Sequence, residues 1–403
     1  MTTDFVALEG KSRGYRFLIA VLGVLAVAGF VSFIISYIQG HQVFGSNNVI
    51  PWGMPIVLTI YLIGLSAGSL ILSSLTYVFG REEYRPIARM AVFLAIVLIF
   101  GAMLSIALDL GRPEKFWRLF MFFYMNNMSS MFAINGILYG GYFIISLVYL
   151  GIIFAGNHRA SRITGIIAAG WAILVHLGTG AIFGIIAARE AWFSPIKPVE
   201  FLAAALTSGA ALLIVTVILI LVLSGRELKK EMVSSLGRLL MYFIVILLIL
   251  IIVDKLIHLY SAHREATLYT LTGQYSWIFW GFQIGLGAVI PLVILLMPRF
   301  NKNIGWVVTA AVSVVIGVFF ERYYLVIPGA AYPMQYYPGK IEGVWGAMGT
   351  FNFAPVEIIL SIGIVAFLVL IFILGLKYLE LLPPGESARE AVTESVEEGH
   401  DER

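Results

Sequence analysis

Residues 239–253 read LLMYFIVILLILIIV, fifteen positions without a charge, a proline or a glycine. A helix on the surface of a soluble domain needs a polar face, and this stretch has none. It is the middle of a longer apolar segment, Val233–Tyr260. At about 1.5 Å per residue that segment is long enough to cross the ~30 Å hydrocarbon core of a bilayer.

Working outward, nine more such segments appear: Tyr15–Gln39, Met54–Phe79, Pro86–Leu108, Phe132–Phe154, Ser161–Ala188, Val199–Ser224, Tyr275–Met297, Ile304–Ile327 and Pro355–Leu379. None alternates polar and apolar with period two, so barrel strands are ruled out and helices remain. The expected fold is an all-α integral membrane protein of about ten transmembrane helices. Composition agrees. Of 403 residues 60% are hydrophobic and 12% charged, about half the charged share (roughly 25%) that a soluble domain needs to cover its surface. A net charge of +3 gives no reason to invoke nucleic acid. The absence of cysteine excludes disulfides, cysteine-ligated iron–sulfur clusters and covalently attached haem within this chain. The first apolar run is too long for a signal-peptide core, and no small-residue cleavage site follows it.

Lys and Arg divide unequally between the two sets of loops, fifteen against seven. The richer side is expected to be cytoplasmic and to hold both termini, which requires an even number of spans. Loops on the other side are longer and rich in aromatic residues, Gly and Pro: His41–Gly53, Leu110–Met131, Arg189–Pro198, Ser261–Gln274 and Pro328–Ala354. Residues 1–382 form the transmembrane domain. Residues 383–403 follow Pro383–Pro384–Gly385, carry many acidic side chains and read as a disordered cytoplasmic tail. A short internal similarity links Leu65–Leu72 (LSAGSLIL) to Leu206–Leu213 (LTSGAALL). It suggests two similar four-helix bundles, spans 2–5 and 6–9, with small residues allowing close helix contact. Low-complexity apolar sequence offers the same likeness by chance.

Ionisable residues inside apolar spans each cost ~2.5–3.5 kcal/mol on insertion scales, so they persist where they are paired or used. Asp109 closes the third span in Asp109–Leu110–Gly111–Arg112–Pro113, where a pair with Arg112 either anchors the helix or serves a ligand. His176, flanked by Gly178, Thr179 and Gly180, has space beside its imidazole and the chemistry to exchange a proton near neutral pH. Glu190, fourteen residues on, is expected about 40° from the same face and roughly 21 Å along the axis. Asp254 and His258 share a helix face at i, i+4, as a proton relay or a neutralised structural cluster. Glu321 adjoins Arg322 before Pro328–Gly329, which is expected to break the ninth span. His176 and His258 are the histidines placed within spans, and a haem would need them face to face.

Several of these segments resemble the polysulfide reductase C / NrfD family of quinone-interacting membrane subunits. They are Pro51–Trp52–Gly53–Met54–Pro55 with Ser66–Ala67–Gly68–Ser69; Asp109–Leu110–Gly111–Arg112–Pro113 with Phe116–Trp117; His176 with Ala188–Arg189–Glu190–Ala191–Trp192; Ser208–Gly209; and Glu321–Arg322 with Val326–Ile327–Pro328–Gly329. The ten-span length resembles the longer branch, including the P subunits of the membrane complex associated with dissimilatory sulfite reduction. The resemblance implies two four-helix bundles without haem or metal, and a quinone bound near the outer face; menaquinol or another quinone is the expected species. On matching motifs the quinone site falls at Trp52, Asp109, Arg112 and His176, with Asp109, His176 and Glu190 handling protons. Asp254, His258 and Glu321 would serve proton transfer in the second bundle. It also implies a docked ferredoxin-like iron–sulfur subunit, further redox subunits and surrounding lipid as partners. A secondary transporter is the alternative, since ten spans with a repeat and buried polar residues fit that class too.

Overall fold

The computed structural model describes residues 5–77, 80–115, 117–118, 121, 130–226, 228, 230–333 and 348–384. Among them ten helices are long and apolar enough to cross a membrane, and these described residues form no strand beyond one isolated bridge. We label them with one short helix: α1 (Arg13–Gln39), α2 (Met54–Tyr77), α3 (Arg85–Asp109), α4 (Met131–Phe154), α5 (His158–Gly184), α6 (Lys197–Leu223), α7 (Lys230–Leu259), α8 (Arg264–Thr272), α9 (Ile278–Leu296), α10 (Ile304–Ala331) and α11 (Pro355–Tyr378). The short one is α8, which does not span.

Helices start where a side chain can serve the orphan amides of the first turn. Ser12 caps α1 through Tyr15 N, Asn157 caps α5 through Ala160 N, and Asn303 caps α10 through Gly305 N. Val6 and Leu382 pair as an antiparallel bridge, and Arg226 donates to the Pro383 carbonyl, so both ends of the described chain meet on one face. That arrangement fits the even span count.

The helices form two four-helix bundles. α2, α3, α4 and α5 pack in one ring, α6, α7, α9 and α10 in the other, and α2 against α6 makes the main seam between them. α1 and α11 pair with each other and lie along α3. Lipid gives apolar side chains no reason to leave it, so the seam relies on close backbone approach. Gly68 and Gly209, equivalent positions of the internal repeat, face each other: a Cβ on Gly68 would lie 2.6 Å from the Gly209 Cα. Contact between equivalent residues is what two like halves related by a two-fold produce.

Three sequence expectations are revised. α5 ends at Gly184, short of Ala188, because the chain folds back and Ser194 N bonds the Gly184 carbonyl at 3.1 Å. Glu190 consequently lies in the turn after α5, off that helix's face. α10 does not break at Pro328 but runs to Ala331. Donors from elsewhere supply the carbonyls there: Trp192 Nε1 reaches Leu325 O, Arg189 Nη1 reaches Ala330 O and Gly349 N reaches Ala331 O. In α9, residues Ile278–Val289 are wound as a π-helix, a widened form that elsewhere accompanies functional sites. The acidic tail lies outside the described residues.

Candidate functional site

Polar side chains concentrate at the end of the molecule that carries the long connections, in two places. In the second bundle, α6 begins at Lys197 in the turn after α5, which aims its ammonium at α7. There Asp254 is the hub. Its Oδ1 accepts the Ser194 hydroxyl at 2.6 Å, its Oδ2 accepts Lys197 Nζ at 3.2 Å, and Lys255 Nζ stands 3.5 Å away. Lys197 also donates to Glu200 Oε2 at 2.8 Å.

The expected pairing of Asp254 with His258 is present, with Nδ1 3.5 Å from Oδ1. Both ring nitrogens of His258 also lie 2.7 Å from carbonyl oxygens, those of Asp254 and Phe193. The ring can donate to both only when doubly protonated, and Asp254 then supplies the counter-charge. Beyond Phe193 sits His263, its ring centroid 6.5 Å from that of His258, and His263 Nδ1 is 3.8 Å from Glu190 Oε1. Glu190 thus joins the second bundle's cluster.

Behind Lys197 a cavity of about 30 Å³ is lined by Lys197, Glu200, Lys255, Gln283, Glu321 and Tyr324 among others. It has room for about one or two waters. Gln283, carried by the π-helix, has a buried Oε1 without a hydrogen-bond partner among the described residues. Glu321 Oε1 lies 3.2 Å from Arg322 Nη1. Arg322 is only 1% exposed and stacks its guanidinium 4.1 Å over the Phe201 ring. Its charge reaches back across the seam to His176.

The second place is at the first bundle. His176 is 1% exposed, with Nδ1 2.9 Å from the Ala172 carbonyl and Nε2 buried without a hydrogen-bond partner among the described residues. A carbonyl partner requires Nδ1 to carry the proton in the neutral ring, which leaves Nε2 a bare acceptor. The neighbouring turn is held by Asn135 Nδ2 on Gly178 O at 2.9 Å and by Tyr139 with Thr179 at 2.9 Å.

Trp52 stacks on Trp192 at 5.2 Å and meets Phe183 and Phe132 edge-on at 5.8 and 5.7 Å. Arg189 ties this aromatic group to the bundle by donating to Ala330 O at 2.5 Å and Val49 O at 3.0 Å. Burial pulls the Arg189 pKa down from its ordinary value, but not far enough to discharge a guanidinium at neutral pH.

Asp109 is partly buried at the last turn of α3, and Gly111 makes the expected tight turn with φ +69°. Arg112 does not pair with Asp109. It points into solvent, 3.9 Å from Glu114 Oε1, because the turn at Gly111 carries it away from the helix end. Among the described residues no hydrogen bond or ion pair joins Trp52, Asp109, Arg112 and His176 to one another.

Four participants were not singled out from the sequence: Lys197, Glu200, Ser194 and Glu357. Opposite charges at Lys197 and Glu200, i, i+3 at the start of an apolar span, are the signal that was available. Glu357 looks like an ordinary acid in a helix's first turn. In the structure it is fully buried against Gly45, Gly53 and Met54.

The family model described as "Polysulphide reductase, NrfD" matches residues 42–333. The chain is similar to the Hdr-like menaquinol oxidoreductase integral membrane subunit of Archaeoglobus fulgidus, 33% identical over 405 residues that cover 99% of this chain and 100% of that protein. It is similar to the C subunit of polysulfide reductase from Wolinella succinogenes, 26% identical, with 72% of this protein and 99% of that one covered. The menaquinone reductase integral membrane subunit of Nitratidesulfovibrio vulgaris is 22% identical, with 86% of each covered.

Proposed function

This chain belongs to the polysulphide reductase NrfD family, and we propose that it is the menaquinol-oxidising membrane subunit of a respiratory oxidoreductase complex. The observation that carries the proposal is His176. A buried imidazole whose Nδ1 proton is committed to Ala172 presents an Nε2 that makes no hydrogen bond within ordinary geometry among the described residues, with the Ile63 backbone close by. Such an atom accepts a proton from a quinol hydroxyl, whereas a quinone carbonyl would need a donor there. The geometry therefore favours the reduced substrate. Trp52 and Phe132 offer the flat aromatic wall such a ring packs against, and Asp109 stands at the end of the neighbouring helix. Arg112, turned to solvent, serves the rim of the site.

Support for menaquinol comes from the names of the relatives in Archaeoglobus fulgidus and Nitratidesulfovibrio vulgaris. Those relatives are named as subunits, which fits a ferredoxin-like iron–sulfur subunit docked on the loop-rich face, with further redox subunits beyond it. The loop-rich face is then extracytoplasmic and both termini cytoplasmic, as the Lys and Arg distribution requires. The ten-span length supports reading the chain as one of the longer branch, with the P subunits associated with dissimilatory sulfite reduction as the suggested kin.

Protons that leave His176 would reach the cavity beside Glu321 through water, since the Arg322 guanidinium is a donor with no acceptor site. From there Lys197, Asp254, His258 and His263 lead to Glu190 at the loop-rich end. In this reading the waters that fit the cavity connect Glu321 to Lys197.

Replacing His176 with Ala tests the proposal. The variant complex should assemble with its partners yet lose menaquinol-dependent reduction of their iron–sulfur clusters. Normal reduction in that variant removes His176 from the chemistry.

A further inference from the structure

We propose that the cavity behind Lys197 is a water-binding site of the second bundle, with Gln283 as the residue that positions the water through which protons cross it. This rests on the proton route of the quinol-oxidising reading above and adds to that route a residue that carries no charge.

Gln283 lies in the π-wound part of α9 and is 8% exposed. Its Oε1 is buried without a hydrogen-bond partner among the described residues, where an amide oxygen normally has a donor. Other polar groups on the cavity walls have theirs. Tyr324 donates its hydroxyl to Thr270 O at 2.7 Å, and Thr270 donates its own to Thr267 O at 2.8 Å. Lys197 is shared between Glu200 and Asp254.

Packing fixes where the Gln283 amide stands. Consecutive spans α9 and α10 run antiparallel and touch at two glycines, since a Cβ on Gly287 would lie 3.1 Å from the Gly317 Cα. Gln283 is about one turn before Gly287, and Glu321 about one turn after Gly317. The glycine clamp therefore sets amide and carboxylate at one level. Ser313 of α10 serves the wide turn by donating to the Leu286 carbonyl. Gln283 and Glu321 line one cavity with Lys197, Glu200 and Lys255.

A bound water needs a cavity of at least about 10–15 Å³ and two to four polar partners. The cavity, at about 30 Å³, is large enough. Gln283 Oε1 and the Glu321 carboxyl can accept from such a water. Lys197 commits two N–H groups to Glu200 and Asp254 and has a third to donate. The two ammonium groups on the wall repel a metal ion, so water is the ligand that this mixture of donors and acceptors fits. In the transfer, one O–H bond breaks on the Glu321 carboxyl and one forms on the water. Another O–H of that water breaks and one forms on Glu200, so the water is regenerated and no electron moves. Gln283 takes no proton. Its oxygen holds the water in line.

The whole purified complex supplies the test. A density map of the wild type fine enough to show ordered water should place one against the Gln283 amide, and a dry cavity overturns the proposal. Gln283→Leu removes the acceptor at similar size. Its menaquinol kcat should fall about tenfold, the loss expected of one hydrogen bond. The quinol KM should change less than about twofold, with the subunits still co-purifying. The solvent isotope effect on kcat in heavy water should rise, because proton transfer becomes the slow step. Wild-type kcat in Gln283→Leu, or a lowered kcat without that rise, overturns the proposal and leaves Gln283 a packing residue. Gln283→Asn, whose shorter side chain leaves room for more water, should recover at least about a third of wild-type kcat. If Gln283→Leu does not assemble, the wild-type map decides. Wild-type complex that oxidises no menaquinol would instead sink the functional reading, while the map still decides whether Gln283 holds a water.

Discussion

At the scale of single residues, the second bundle's charges are worth most to each other. Lys197 and Asp254 are both nearly removed from solvent and joined by a 3.2 Å bond from ammonium to carboxylate. Desolvating two ions is expensive, and their attraction does little more than offset it. Taking away one partner is different, because the other charge stays buried. Asp254→Asn leaves Lys255 without its carboxylate and Lys197 with Glu200 alone, and should destabilise the protein by about 3–5 kcal/mol. The loss would appear as a lower unfolding temperature of the detergent-solubilised complex. Adding Lys197→Met together with Glu200→Gln, so that neither buried partner keeps a lone charge, should restore part of the loss, and no restoration would mean that the cluster is not coupled as described. His258 shows why a sequence spacing is only half of an answer. Its i, i+4 relation to Asp254 was readable, whereas its bond to Phe193 O, 65 residues away in sequence, is what engages both ring nitrogens.

Helix by helix, the seam between α2 and α6 decides whether two bundles become one protein. The Gly68–Gly209 contact leaves no space for a side chain, and any larger residue there must push two backbones apart. Gly68→Leu should therefore block assembly. Overpacking costs ~1–3 kcal/mol where a site can relax, and paired backbones relax poorly. Gly140→Ala, whose new methyl group meets nothing within 4 Å, is the control and should accumulate in membranes like the wild type. Equal accumulation of both variants would refute the role assigned to the seam. The π-wound part of α9 belongs at this scale too. Widening the helix frees a carbonyl at Leu286, which Ser313 of α10 serves with its hydroxyl, and it sets Gln283 at the cavity. Nothing in the apolar run of residues 275–297 announces that winding, since its register depends on the packing partner.

For the whole molecule, orientation can be measured without first removing native thiols, because the chain has no cysteine. Glu114 and Lys302 are both exposed and lie in loops at opposite ends of the bundles. In intact cells a membrane-impermeant maleimide should label Glu114→Cys at once and Lys302→Cys only after permeabilisation. The reverse pattern would invert the topology and place the quinol site on the cytoplasmic side. Ten spans, an even crossing count and an accumulation of polar residues toward one end were all legible in the chain. Transfer of a segment into hydrocarbon is a local, nearly additive free energy, so a window of about twenty residues is enough to read it. Which polar groups meet was not legible. Nearly every helix here is apolar on all sides, so its rotation about its own axis is set by contacts with its neighbours and not by a polar stripe. Hence Glu357 meets Met54 across 303 residues, Lys197 meets Asp254 across 57, and Arg112 turns away from Asp109 three residues before it. The membrane could be read from each segment alone, but the site exists only where the packed helices converge.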